Sequence, residues 1–155
     1  YINTALENFA GTARRFEYKG TVNNAPVYDD YAHNPQKVAA AIAGAREVYP
    51  AKRLIVVFQP HTYTRTSELF SEFVEALATA DEVVLVPIYA AREENVSGVS
   101  SEQLAEALGT KGVSAVTYQT LGAAGLYVRE TVGKDDVVLV MGAGDVTKIA
   151  ADLVV

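Results

Sequence analysis

The sequence predicts an α/β fold, a mostly parallel sheet with helices on both faces, preceded by an antiparallel hairpin. Three observations carry this. Continuous apolar runs at 54–58, 83–86 and 137–141 read as strands covered on both sides. Segments with helical periodicity separate them, as right-handed βαβ crossovers require. Residues 16–19 alternate as a strand does, and Asn23-Asn24 marks the turn into a second extended run at 25–28.

The elements follow in order. Residues 3–10 place Ala5, Leu6, Phe9 and Ala10 on one helical face, with Asn3 or Thr4 as cap and Gly11 as stop. After the hairpin, Pro35 fits the first turn of a helix whose apolar residues Val38, Ala39, Ile42 and Ala45 run to a stop at Pro50. The strand at 54–58 leads into a polar loop at 59–66. Ser67 then caps a helix with Phe70, Phe73, Val74 and Leu77 on its buried face.

Beyond the strand at 83–86, residues 88–99 form a loop carrying Arg92, Glu93, Glu94 and Asn95, long enough to suggest function. Ser100 or Ser101 opens the next helix, which Gly109 closes. A weaker strand at 113–118, a helix from Thr120 to about Val132, the strand at 137–141 and a last helix through Ile149 to Leu153 complete the chain. All 155 residues are expected to form a single domain, residues 1–20 serving as a linker-like lead-in.

Composition narrows the function classes. With no cysteine there is no disulfide or thiolate metal site, and two histidines 28 residues apart make no metal motif, so no structural metal is expected. A net charge of -6 argues against a nucleic-acid surface. No apolar run is long enough for a membrane span, and no signal peptide is evident, so a soluble cytoplasmic protein is expected.

The residues able to do chemistry collect where strands end. Asp29 and Asp30 end the hairpin's second strand and point to opposite sides, so one can face a cleft and accept hydrogen bonds from ribose hydroxyls. Both could equally be turn carboxylates. His33 and His61 are the only histidines, and each lies a few residues past a strand in a loop that also holds a proline. Arg65, four residues after His61, suits a carboxylate or phosphate. Gly142, Gly144 and Asp145 make a candidate anion loop between a strand and a helix, although Asp145 serves as well for a helix cap. No P-loop occurs anywhere in the sequence, so the main phosphate site must lie elsewhere.

Taken together, Asp29-Asp30-Tyr31-Ala32-His33-Asn34-Pro35, Phe58-Gln59-Pro60-His61-Thr62-Tyr63-Thr64-Arg65-Thr66 and Met141-Gly142-Ala143-Gly144-Asp145 resemble the carboxy-terminal domain of the Mur ligases. Residues 9–17 resemble the segment that joins that domain to the central one. The middle motif is closest to the member that adds L-alanine to UDP-N-acetylmuramate; the diaminopimelate-adding member shares Asp-Tyr-Ala-His but not this motif. The resemblance implies a Rossmann-like domain of a three-domain ATP-dependent ligase of peptidoglycan synthesis. ATP with Mg2+ would make an acyl phosphate of the muramate carboxylate, which the amino group of L-alanine attacks.

By the same resemblance Arg15 approaches the ATP phosphates and Asp30 the ribose. His33, His61 and Arg65 line the amino-acid side, with Arg65 on the carboxylate. No residue of this domain is implied as catalytic; its work is positioning, Mg2+ is held mainly by the central domain, and the chain alone is expected to be inactive. Asn34 and Thr62 depart from the residues many relatives carry. A murein tripeptide ligase and a non-catalytic nucleotide- or amino-acid-binding module are the rival readings. The start at Tyr1, without an initiator methionine, is expected of a fragment.

Overall fold

The computed structural model describes residues 13–155; the helix expected over 3–10 lies outside them. Strands β1 (Glu17–Val22) and β2 (Ala25–Asp30) form the expected antiparallel hairpin. Its two-residue turn works because Asn23 and Asn24 both take positive φ, 50° and 67°, a conformation asparagine tolerates well and one whose twist matches that of the strands. Helix α1 (Pro35–Val48) follows, capped by Asn34, whose side chain accepts from the Lys37 amide at 2.9 Å.

Then come β3 (Arg53–Phe58), α2 (Tyr63–Glu68), α3 (Phe70–Leu77), β4 (Glu82–Leu85), α4 (Ser101–Thr110), β5 (Ser114–Thr117), α5 (Leu121–Thr131), β6 (Asp136–Met141) and α6 (Thr147–Leu153). The six strands lie in the order β1-β2-β6-β3-β4-β5, and every pairing except β1 with β2 is parallel.

The strand alternation sorts the core into two layers. Leu54, Val56 and Phe58 point to the face covered by Val38 and Ile42 of α1, Phe73 and Leu77 of α3, and Leu104 and Leu108 of α4. Ile55 and Val57 point the other way, toward Ala124 and Val128 of α5 and Ile149 and Leu153 of α6. Central strands buried on both faces have no polar register, which is why they read as unbroken apolar runs.

Two helix boundaries differ from expectation. The helix after β3 starts at Tyr63: the Thr62 hydroxyl caps it by accepting from the Arg65 amide, and Ser67 lies inside it. It breaks at Leu69 and resumes at Phe70, so Arg65 is a helical residue and not a loop one. Gly109 does not end α4, which runs on to Thr110; Gly112, with φ of 78°, takes the turn instead. The capping box there is Ser100 with Gln103.

At the amino ends of β3, β4 and β6 sits a polar network. Arg53 donates to Asp136 at 2.8 Å and to Glu82 at 3.3 Å, and the Tyr127 hydroxyl donates to Glu82. That hydrogen bond, with burial and the Glu82 charge, pushes the Tyr127 phenol up to about 12. A phenol whose pKa is raised on folding stabilises the fold fully below the ordinary value of 10 and loses that contribution as pH rises through about 12. Thermal melts are expected to fall between those two pH values, and Tyr127→Phe to flatten the decline; an unchanged slope would remove Tyr127 as its source.

Candidate functional site

Outward crossovers put α1, α3 and α4 on one face, and the return from β5 to β6 puts α5 on the other. The chain therefore parts in opposite directions on either side of β6, and open parallel sheets bind ligands at the carboxyl edge beside such a switch point. All the site residues singled out from sequence lie on the segments around this edge.

The first part is a cavity of about 420 Å³ between residues 15–16, the end of β2 and α1, lined by Arg15, Asp30, Tyr31, Lys37, Ala41 and Gly44 among others. The sequence-chosen pair Arg15 and Asp30 therefore share one pocket. Asp30 holds its wall together, accepting from the Phe16 amide at 2.9 Å and the Ala32 amide at 2.8 Å. Burial pushes its carboxyl above the ordinary value, against the pull of those two amides. Asp29 turns inward, as the alternation requires. It is 1% exposed and its carboxylate accepts from Arg14 Nε at 3.2 Å and from the Thr147 hydroxyl. Arg14 also donates to the Gly142 carbonyl and lies over the Tyr31 ring, 5.0 Å from its centroid. One side chain thus ties the lead-in to β2 and to the loop after β6.

The second part is an aromatic and cationic cluster. His33 and His61 meet edge to face with ring centroids 6.3 Å apart, and Arg65 Nη1 lies 3.2 Å from His61 Nδ1. The structure brings these three together. Burial, then the positive charges of Arg65 and His33, lower the pKa of His61 below the ordinary 6.5. Tyr89 stacks on the other side of His61, centroids 5.4 Å apart and planes 13° from parallel. The backbones of 60–62 and 89 are joined by Thr62 N–H to the Tyr89 carbonyl and Tyr89 N–H to the Pro60 carbonyl, both 2.8 Å. Glu93 reaches back to accept from the Thr64 hydroxyl, which holds its carboxyl below the ordinary range.

The loop after β6 looks different from a free anion cradle. The Gly142 amide donates to the Asp30 carbonyl, and the Val146 amide to Gln59 Oε1. Asp145 accepts from Gln59 Nε2 at 2.8 Å, and its side chain does not cap α6, where no side-chain cap bond exists. The glycines answer to close packing: a Cβ on Gly144 would stand 2.5 Å from Gln59 Oε1 and 2.7 Å from the Tyr89 ring.

Sequence reasoning missed Arg14, Gln59 and Tyr89. The loop at 88–99 was legible as long, but the signal for Tyr89 is only its place just beyond a strand end. Asn34 and Thr62, whose departure from the family left their roles open, are the caps of α1 and α2.

Among the described residues no helix is long and apolar enough to cross a membrane, and no group of three or more acidic or histidine side chains could hold a metal ion.

Comparison with known proteins agrees with this architecture. The chain is 46% identical over 153 residues to the UDP-N-acetylmuramate--L-alanine ligase of Lachnospira eligens, and 45% identical over 150 residues to that of Acidithiobacillus ferrooxidans. These alignments take in 99% and 97% of the chain but 33% and 32% of the relatives, so the chain spans about a third of their length. Among solved structures it is similar to UDP-N-acetylmuramate-alanine ligase MurC of Thermotoga maritima, with a TM-score of 0.76, 31% identity and coverage of 97% of this chain and 31% of that one. It also resembles a separately solved domain assigned to a UDP-N-acetylmuramate:L-alanyl-gamma-D-glutamyl-meso-diaminopimelate ligase of Haemophilus ducreyi, with a TM-score of 0.68, 25% identity and coverage of 90% and 97%. Residues 14–144 match the family described as Mur ligase, glutamate ligase domain, and with the strand-end motifs, the fold and these likenesses in agreement, the chain belongs to the Mur ligase family.

Proposed function

We propose that this chain is the carboxy-terminal domain of a cytoplasmic ligase that uses ATP to join L-alanine to UDP-N-acetylmuramate in peptidoglycan synthesis. The observation that carries the proposal is that the pocket of Arg15 and Asp30 and the His33–His61–Arg65 cluster both lie at the carboxyl edge of the sheet, on segments that meet at the end of β2. One takes a nucleoside, the other a small zwitterion, and the 46% identity to an enzyme of that name supports the pairing.

The division of labour follows. ATP phosphorylates the muramate carboxylate, and the alanine amine displaces phosphate from the resulting acyl phosphate. Asp30 accepts from the ribose hydroxyls, Arg15 faces the phosphates, and Arg65 holds the amino-acid carboxylate. Mg2+ would be held mainly by the central domain, where it would neutralise charge on the ATP phosphates. The domain's contribution is to hold two reactants in line as it closes on the central and amino-terminal domains, and such positioning can supply several kcal/mol of barrier reduction.

The test is phosphate release by the full-length protein with ATP, Mg2+ and UDP-N-acetylmuramate, comparing L-alanine with L-Ala-γ-D-Glu-meso-diaminopimelate. Release dependent on L-alanine is expected. Release only with the tripeptide, using free N-acetylmuramate-type acceptors, would make it a recycling ligase; release with neither would reduce the domain to a binding module.

The nucleoside pocket has a specific test. Gly44 lies within α1 and lines the cavity, with nothing within 4 Å of where a Cβ would stand. A glycine inside a helix costs about 0.5–1 kcal/mol relative to alanine. Gly44→Leu is therefore expected to keep or raise thermal stability while filling the cavity and raising the apparent KM for ATP roughly tenfold or more, by analogy with the ~1–3 kcal/mol cost of overpacking a filled site. An unchanged KM would place the nucleoside elsewhere.

A further inference from the structure

An acyl phosphate is attacked by an amine only through a nitrogen lone pair, and a free amino acid at neutral pH offers an ammonium group that has none. The ammonium must lose a proton first, and a positioned base speeds that step. Among the described residues four carboxylates at this edge already accept hydrogen bonds. Asp30 lies in the nucleoside pocket with each oxygen on a backbone amide, one oxygen of Asp29 is held by Arg14 and Thr147, Asp145 is tied to Gln59, and Glu93 is held by Thr64 as a weak base.

The two histidines differ in a way their hydrogen bonds decide. His33 Nδ1 lies 3.0 Å from the Tyr31 carbonyl oxygen. A carbonyl only accepts, so Nδ1 carries the hydrogen and Nε2 of the neutral ring carries the lone pair. His61 is the reverse. Its Nδ1 faces an Arg65 guanidinium nitrogen, which only donates, so the hydrogen of its neutral ring sits on Nε2. Tyr31 and His61 both meet the His33 ring edge to face, at centroid distances of 5.3 Å and 6.3 Å, and fix its orientation. The pair is polarised: His33 presents an acceptor, while His61 and Arg65 present donors. A zwitterionic amino acid satisfies both with its ammonium toward His33 and its carboxylate toward Arg65, and not in the opposite sense.

Resting on the ligase reading above, we propose that His33 is a catalytic base, its Nε2 taking the ammonium proton of the incoming amino acid. The proton passes from nitrogen to Nε2, leaving a neutral amine and an imidazolium. The amine lone pair forms the C–N bond as the carbonyl C–O bond to phosphate breaks and phosphate leaves with that electron pair. The second nitrogen proton departs to phosphate or water, and the partly exposed His33 returns its own to solvent. The charged and titratable groups around it are Tyr31, whose ring lies under Arg14, and His61, which meets Arg65 and feels the charge of Glu93.

The test uses hydroxylamine, which is unprotonated at neutral pH and traps acyl phosphates without needing a base. In the full-length protein, His33→Gln is expected to lower kcat for L-alanine on the order of 10²–10⁴-fold, the usual contribution of a general base, with little change in the KM for alanine. Hydroxamate formation from UDP-N-acetylmuramate, ATP and hydroxylamine is expected to persist, and imidazole to restore part of the alanine reaction to His33→Ala. Variants whose alanine and hydroxylamine reactions fall together, or whose loss lies wholly in KM, would overturn the proposal. A wild-type protein that forms hydroxamate but gives no alanine-dependent product would overturn the ligase reading and this proposal with it.

Discussion

Arg65→Ala is expected to raise the apparent KM for L-alanine roughly 10- to 100-fold while leaving that for the UDP-sugar unchanged, since a hydrogen bond to a charged group contributes about 1.5–3 kcal/mol. Arg65 stands on the first turn of α2, held by the Thr62 cap, with one guanidinium nitrogen on His61 and, among the described residues, no other side-chain hydrogen bond. Arg65→Lys should recover only part of the loss, because a point charge replaces a planar fork. Kinetics of the full-length protein with each substrate varied in turn decide it. Equal changes in both KM values would take Arg65 out of the amino-acid site. The same substitution removes one of the charges that depress His61, so the His61 pKa should move up toward 6.5, read by NMR titration of this chain. A histidine depressed on folding stabilises above its unfolded pKa and costs stability as pH falls below it, so Arg65→Ala should also weaken the acid-side loss of stability.

Gly142→Ala is expected to be strongly destabilising for the addition of a single methyl group. Gly142 takes φ of 153°, and a Cβ there would stand 2.8 Å from Val146 Cγ1 and 3.0 Å from the Gln59 carbonyl oxygen. Backbone strain of about 1–3 kcal/mol adds to overpacking of about 1–3 kcal/mol, because one of the crowded atoms is main chain and cannot rotate away. For a chain of this size the midpoint should fall by roughly 5–15 °C. The displacement would also reach the Arg14 bond to the Gly142 carbonyl, so the linkage of the lead-in should loosen with it. A melt within 1–2 °C of wild type, on the order of 0.5 kcal/mol, would show that the loop relaxes freely.

Much of this molecule was legible as local pattern. The unbroken apolar strands, the Asn23-Asn24 turn, Pro35 at a helix start and Thr120 as a cap each depend on residues adjacent in sequence, and each stands where expected. The errors have the same origin. Ser67 was a plausible cap, but Thr62 took the role because its hydroxyl reaches the Arg65 amide; Gly109 was a plausible stop, but α4 tolerated it and turned at Gly112.

The sequence by itself determined the fold class, the segments on which chemistry could sit and the family to which they belong. These follow from periodicity, turn chemistry and motif spacing, which are local. Only the tertiary structure decided what the site residues do to one another. Sheet order places β6 between β2 and β3, and so brings Gly142 to Arg14 across 128 residues and closes the Asp145 carboxylate with Gln59. It sets Tyr89 against His61 and gives the two histidines opposite tautomers, through one carbonyl and one guanidinium. Hydrogen-bond partners of this kind depend on distance and direction in space, and no spacing along the chain contains either.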